Sequence, residues 1–121
     1  MELEWKESIK IQDGLHDGEI TRIEYKTDPY EYTDIYIKVD NTDFEIKYGC
    51  PSILSEGSKL GKLLIAMGAK FEKGKKIDPE KVLVGTKVKF MSITKKAKDG
   101  KEYSNVVDDS IKPAVPIEKV I

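Results

Sequence analysis

A chain of 121 residues is expected to form one domain with a core of its own, and its single Cys50 and single His16 exclude an internal disulfide and the usual Cys/His zinc frameworks. No apolar run approaches the roughly 18 residues of a membrane span and no charged-then-apolar leader is present, so a soluble, cytoplasmic protein without cofactor, metal or membrane partner is expected. The net charge of -1 conceals an asymmetry: residues 1–50 carry 6 basic and 13 acidic side chains, residues 51–101 carry 13 and 5, and residues 102–121 carry 2 and 4.

Residues 1–12 place Leu3, Trp5, Ile9 and Ile11 at odd positions and read as an N-terminal arm or edge strand. Asp13-Gly14 and Asp17-Gly18 are turn or bulge signals. Residues 18–25 then read as a strand, and the change of phase between Ile20 and Ile23 fits a bend or bulge. Thr27-Asp28-Pro29 ends it, because proline cannot donate to a ladder. Residues 30–39 form the clearest strand, with Ile35, Ile37 and Val39 alternating with Asp34, Tyr36 and Lys38. Asp40-Asn41 turns the chain into a returning strand in which Phe44, Ile46 and Tyr48 alternate with Glu45 and Lys47.

Residues 58–68 read as helix. Leu60, Leu63, Leu64 and Met67 share one face, Ser58 caps the start and Gly68 closes the end. At about three turns such a helix is not stable alone and must lay its stripe on a sheet or a barrel mouth. A lysine-rich loop over 70–76 leads to Asp78-Pro79, an N-cap followed by a first-turn proline, and a short turn over 79–84 closed by Gly85. Residues 87–94 are a strand, Lys98-Asp99-Gly100-Lys101 a hairpin turn, and 102–111 the last strand. The order β-β-β-α-β-β predicts a mainly β protein, an OB-fold-like five-stranded Greek-key barrel over 13–113 with a tail over 114–121; the rival is another small α+β domain.

Two apparent motifs fail on spacing. Gly57-Ser58-Lys59-Leu60-Gly61-Lys62-Leu63 has three residues between its glycines where a phosphate-binding loop needs four, and lacks the hydroxyl after the lysine. Asp40 and Asp43 lack the alternating oxygen ligands of a calcium loop. His16, near Asp13 and Asp17, has no nucleophile or paired acid to work with, which makes it a structural or surface histidine.

Two constellations remain. Tyr32, Tyr36 and Lys38 share the face opposite Ile35, Ile37 and Val39, with Lys47 on the next strand; Tyr30, Phe44 and Tyr48 add to the aromatic content. Rings on such a face stack on bases for about 1–3 kcal/mol each, although tyrosines also simply favour strands. Lys95, Lys96, Lys98 and Lys101 surround the hairpin turn, where they are either a clamp on phosphates or a solvated turn. Glu31, Asp34 and Glu45 oppose phosphate binding. Lysine supplies 20 of the 21 basic residues, Arg22 being the exception, which favours backbone contacts over base reading.

The segments Asp13-Gly14-Leu15-His16-Asp17-Gly18-Glu19-Ile20, Pro29-Tyr30-Glu31-Tyr32-Thr33-Asp34, Lys59-Leu60-Gly61-Lys62-Leu63-Leu64 and Val106-Val107-Asp108-Asp109-Ser110-Ile111-Lys112-Pro113 together resemble small phage and archaeal OB-fold proteins. Some of that group bind single-stranded DNA and others are uncharacterised. The resemblance implies the fold more than the activity. The expected function is a non-enzymatic module binding single-stranded nucleic acid, DNA before RNA, through tyrosine stacking and lysine–phosphate contacts. The alternative is a protein-interaction or scaffold module of a phage or archaeal replication or assembly complex, with a protein partner or a second copy engaged through the acidic face or through residues 114–121.

Overall fold

One long strand, β1 (Gly14–Lys26), is shared by two antiparallel ladders. Its first half, Gly14 to Glu19, pairs with β4 (Lys87–Lys96), and its second half, Gly18 to Lys26, pairs with β2 (Tyr32–Val39). The two ladders overlap at Gly18, where a Cβ would stand 2.7 Å from the Lys38 carbonyl oxygen and 2.8 Å from Ile37 Cγ2. Only glycine admits that approach. Asp17-Gly18 is therefore not a turn but the crossing point of two ladders. The phase change between Ile20 and Ile23 is a bulge: Ile20 pairs with Ile37 and Arg22 with Tyr36, leaving Thr21 as the extra residue.

This is the computed structural model of the chain, and it describes residues 11–70 and 72–114. The expected arm over 1–12, apart from its last two residues, and the tail beyond Ala114 lie outside the described residues. β3 (Glu45–Pro51) returns along β2 after a turn with Asn41 at φ 63°. Helix α1 (Lys59–Ala66) and the short α2 (Pro79–Leu83) separate β3 from β4, and β5 (Glu102–Val106) returns along β4. The strand expected over 102–111 is broken. Asp109 takes φ 64°, the Ser110 amide donates to the Val107 carbonyl at 3.1 Å, and the chain bends back to pair β6 (Lys112–Pro113) with β4.

The protein is thus mainly β, an antiparallel sheet in the order β3-β2-β1-β4-β5 with β6 also on β4, and two short helices. The closed barrel expected from the sequence is not formed. β3 and β5 approach one another, yet no ladder joins them among the described residues. β5 is only five residues long before the chain turns away at Val107, which leaves little edge to pair.

The core lies between the inner faces of the strands and α1. Ile20, Ile35, Ile37, Val88 and Phe90 from the sheet and Leu64 from the helix are fully buried, and Leu60 and Leu63 beside Leu64 are buried too, as the helical spacing requires. Ser58 Oγ accepts from the Gly61 amide at 2.9 Å. At the other end Ala69 N–H donates to the Leu64 carbonyl and Gly68 N–H to that of Ile65, the paired bonds of a glycine-closed helix end, with Gly68 at φ 98°. A Cβ on Gly61 would sit 1.7 Å from the Ser55 carbonyl oxygen. That glycine serves packing under the entering loop, which explains its place in a sequence that only superficially looks phosphate-binding.

Candidate nucleic-acid interface

The register stacks the outward residues of three strands into rows across one face. Lys26, Tyr32 and Pro51 form the first row, Glu24, Asp34 and Gly49 the second, Arg22, Tyr36 and Lys47 the third, and Glu19, Lys38 and Glu45 the fourth. Tyr32, Tyr36, Lys38 and Lys47, expected on one face from alternation, do share it.

The two tyrosines are not equivalent. Tyr36 is half-buried beneath Arg22, whose guanidinium carbon lies 3.7 Å from the ring centroid. Arg22 in turn is bonded to Glu24 and reaches Glu45 at 3.3 Å, while the Tyr36 hydroxyl donates to Glu24 Oε2 at 3.2 Å. Burial and the Glu24 carboxylate raise the Tyr36 pKa above the ordinary phenol value. One face of this ring is therefore already occupied by a cation. Tyr32 is 38% exposed and Tyr30, on the loop before it, 72% exposed.

Tyr30 and Tyr32 line a cleft of about 320 Å³ with Lys26, Asp28, Pro29, Asp34, Lys47 and Gly49. Its floor carries a buried carboxylate: Asp34 Oδ2 is 2.8 Å from Lys26 Nζ. The hydrogen bond to Asp34 raises the Lys26 pKa and holds it charged. Gly49 permits this arrangement, because a Cβ there would meet Asp34 Oδ1 at 3.0 Å and the Tyr32 ring at 3.5 Å.

Sequence reasoning counted Tyr30 in the aromatic content but did not place it among the preferred stacking residues, and it did not single out Lys26. Tyr30 shares the even-numbered parity of Tyr32 and Tyr36, a signal that was there to use; Lys26 joins the site only through the β1–β2 register. Tyr48 points inward, buried, with Lys59 Nζ 4.3 Å from its ring centroid, and Phe44 packs half-buried on the core. Neither is available for stacking.

Lys38 and Lys47 are exposed and have no ion-pair partner among the described residues. The same holds for Lys95, Lys96, Lys98 and Lys101, which surround the β4–β5 hairpin. In its turn the Gly100 amide donates to the Ala97 carbonyl at 3.0 Å, Gly100 takes φ 83°, and Asp99 Oδ1 accepts from the Lys101 amide at 2.9 Å. None of the four hairpin lysines lines the tyrosine cleft.

Part of the charge asymmetry along the chain is offset on folding. Lys87 lies 3.3 Å from Glu19 and 3.8 Å from Asp40, Lys89 is 3.5 Å from Asp17, and Lys59 is 3.4 Å from Asp108. Antiparallel pairing of β1 with β4 sets the acidic first half against the basic second half. The hairpin lysines extend beyond the β1–β4 pairing and escape this neutralisation.

The other polar singletons are structural. His16 Nε2 donates to the Gln12 carbonyl at 2.5 Å, and its ring lies 5.7 Å from that of Phe90. Cys50 is fully buried, and burial pushes its thiol up to about 11. Among the described residues no group of three or more His, Cys, Asp or Glu side chains is placed to hold a metal ion, and no helix is long and apolar enough to cross a membrane. No family model matches the chain, and no curated protein matches it.

Proposed function

We propose that this chain is a non-enzymatic, OB-fold-like module that binds single-stranded nucleic acid, DNA before RNA, on the outer face of β1, β2 and β3. The observation that carries the reading is the cleft in which Tyr30 and Tyr32 stand exposed beside Lys47. Exposed rings offer bases a sequence-tolerant stacking surface, and unpaired lysines at the rim neutralise phosphates. Lys38 and Lys47 serve the strand across the sheet, and Lys95, Lys96, Lys98 and Lys101 close on a longer strand from the hairpin. The strand order and the long shared β1 support the OB-fold-like description, with the helices lying between β3 and β4.

Tyr30 and Tyr32 take the stacking role. Tyr36 supplies its stacked Arg22 as a flat cation over which a neighbouring base can lie. Titrating the protein with a short single-stranded oligonucleotide at low salt tests the proposal: binding is expected, and Tyr32→Ala weakens it by about 1–3 kcal/mol. Absence of binding to any single strand would sink it.

A second reading, a protein-interaction or scaffold module, is favoured by the apolar strip on the outer side of β1 and β4. Leu15 is 77% exposed beside its cross-strand partner Met91, and Ile93 is exposed on the same face. Light scattering of the wild type and of Leu15→Lys distinguishes them: an assembly lost in the variant, with no nucleic-acid binding in either protein, would favour this reading.

A further inference from the structure

Arg22 is the single arginine of the chain, and the fold holds it flat. The bulge at Thr21 sets it opposite Tyr36, and its guanidinium carbon lies 3.7 Å from the centre of that ring. Carboxylates grip its edge from two sides. Glu24 bonds one terminal nitrogen and accepts from the Tyr36 hydroxyl at 3.2 Å; Glu45 stands 3.3 Å from the other and accepts from the Thr21 hydroxyl at 2.7 Å. With one face on the ring and the edge engaged, the 46% of the side chain that stays exposed includes the face turned away from Tyr36. Two carboxylates outweigh one guanidinium there, so the plane suits the face of a base and not a phosphate.

This plane and the tyrosine cleft are well separated. Tyr32 and Tyr36 lie four residues apart on β2, about 13 Å at roughly 3.3 Å per residue, whereas successive bases of a stacked strand are about 3.4 Å apart. The row between them holds Glu24, Asp34 and Gly49 and offers no ring on which an intervening base could stack.

We propose that the face seats two bases that are not consecutive, one in the Tyr30–Tyr32 cleft and one on Arg22, with the strand unstacked between them. The substrate class that follows is poorly stacked, thymidine-rich DNA; the inference rests on the single-strand reading above. Each seated base gives up its stacking neighbours on both sides and gains Tyr30 and Tyr32, or Arg22, in their place. Purines stack on one another more strongly than pyrimidines, so an adenosine run loses more than it recovers, and a thymidine run yields readily.

The test uses short strands that carry two thymidines in an otherwise abasic backbone, read by fluorescence anisotropy at low salt. Thymidines separated by one or two abasic positions are expected to bind about fivefold or more tighter than adjacent ones, the worth of one base stack at the low end of its range. An all-thymidine strand is expected to exceed an all-adenosine one by a similar factor. Arg22→Lys keeps the charge and removes the plane. It is expected to erase the advantage of the separated pair while leaving the adjacent pair and the salt dependence unchanged, with circular dichroism confirming the fold. The comparison of strands on the wild type needs no variant.

Adjacent thymidines binding as tightly as separated ones, or a separated-pair advantage that survives in Arg22→Lys, overturns the second platform and leaves the single-strand reading intact. Adenosine binding as tightly as thymidine overturns the substrate class. No binding even of the all-thymidine strand overturns both readings.

Discussion

The response of binding to salt separates the contribution of the sheet face from that of the hairpin. Two lysines on the face, Lys38 and Lys47, are exposed and free of ion pairs among the described residues, and four more surround the hairpin turn. On a single strand each neutralised phosphate contributes about -0.7 to the slope of log affinity against log salt. A strand of about four nucleotides, the short end of what one such fold covers, engages the face alone. Its expected slope is about -1.4, or roughly a sevenfold loss of affinity between about 50 and 200 mM salt. A strand of about 16 nucleotides reaches the hairpin as well. With six lysines the slope steepens to about -4.2, roughly a 300-fold loss over the same range.

Anisotropy titrations at four or five salt concentrations measure both slopes. Lys98→Ala with Lys101→Ala is expected to flatten the long-strand slope by about 1.4 and to leave the short-strand slope alone. A long-strand slope no steeper than the short-strand one would remove the hairpin from the interface. Slopes near zero for both lengths would refute the electrostatic reasoning altogether.

Three further outcomes follow from the packing. Gly61→Ala gains up to about 1 kcal/mol of helix propensity but puts a methyl 1.7 Å from the Ser55 carbonyl oxygen, an overpacking that costs typically about 1–3 kcal/mol and sometimes more; chemical denaturation should show net destabilisation, and an unchanged or higher midpoint would contradict the close approach. Tyr36→Ala is expected to weaken oligonucleotide binding less than Tyr32→Ala, because Arg22 already covers one face of the Tyr36 ring; the reverse order in the same titration would make Tyr36 the main platform. Cys50, raised by burial from 9.0 to about 11, holds its proton more tightly in the folded state than in the unfolded one. Its contribution, on the order of 3 kcal/mol, is fully present below pH 9 and lost as pH rises through about 11. Cys50→Ala should flatten that alkaline decline in denaturation midpoint, whereas an identical decline in the variant would assign it to other groups.

What was legible in the sequence had a local cause. Alternation of Ile35, Ile37 and Val39 marked the buried face of β2, the spacing of Leu60, Leu63 and Leu64 marked that of α1, and the phase slip after Ile20 announced the bulge. The hairpin at Asp99-Gly100 and the cap at Asp78 were equally local, since each depends on one or two residues with a particular backbone preference.

What escaped depends on register and on contacts between distant segments. Asp17-Gly18 looks like a turn until β2 and β4 are both laid against it, when glycine becomes the residue that fits between them. The break in the last strand at Val107 follows from Ser110 bonding across to Met91 on β4, a contact 19 positions away. The Arg22 cover on Tyr36 likewise exists only because the bulge brings residues 22 and 36 opposite one another. The charge asymmetry invited separate acidic and basic surfaces. Folding instead pairs Lys87 and Lys89 with Asp17, Glu19 and Asp40, and leaves the hairpin lysines and Lys47 at the cleft rim without ion pairs among the described residues.

The most direct measurement is an amide chemical-shift titration of isotopically labelled protein with a short single-stranded DNA at low salt. Saturable shifts centred on Tyr30, Tyr32, Lys47 and Gly49 are the expected result. Saturable shifts centred instead on Leu15 and Met91, or no shifts at all, would contradict binding in the tyrosine cleft.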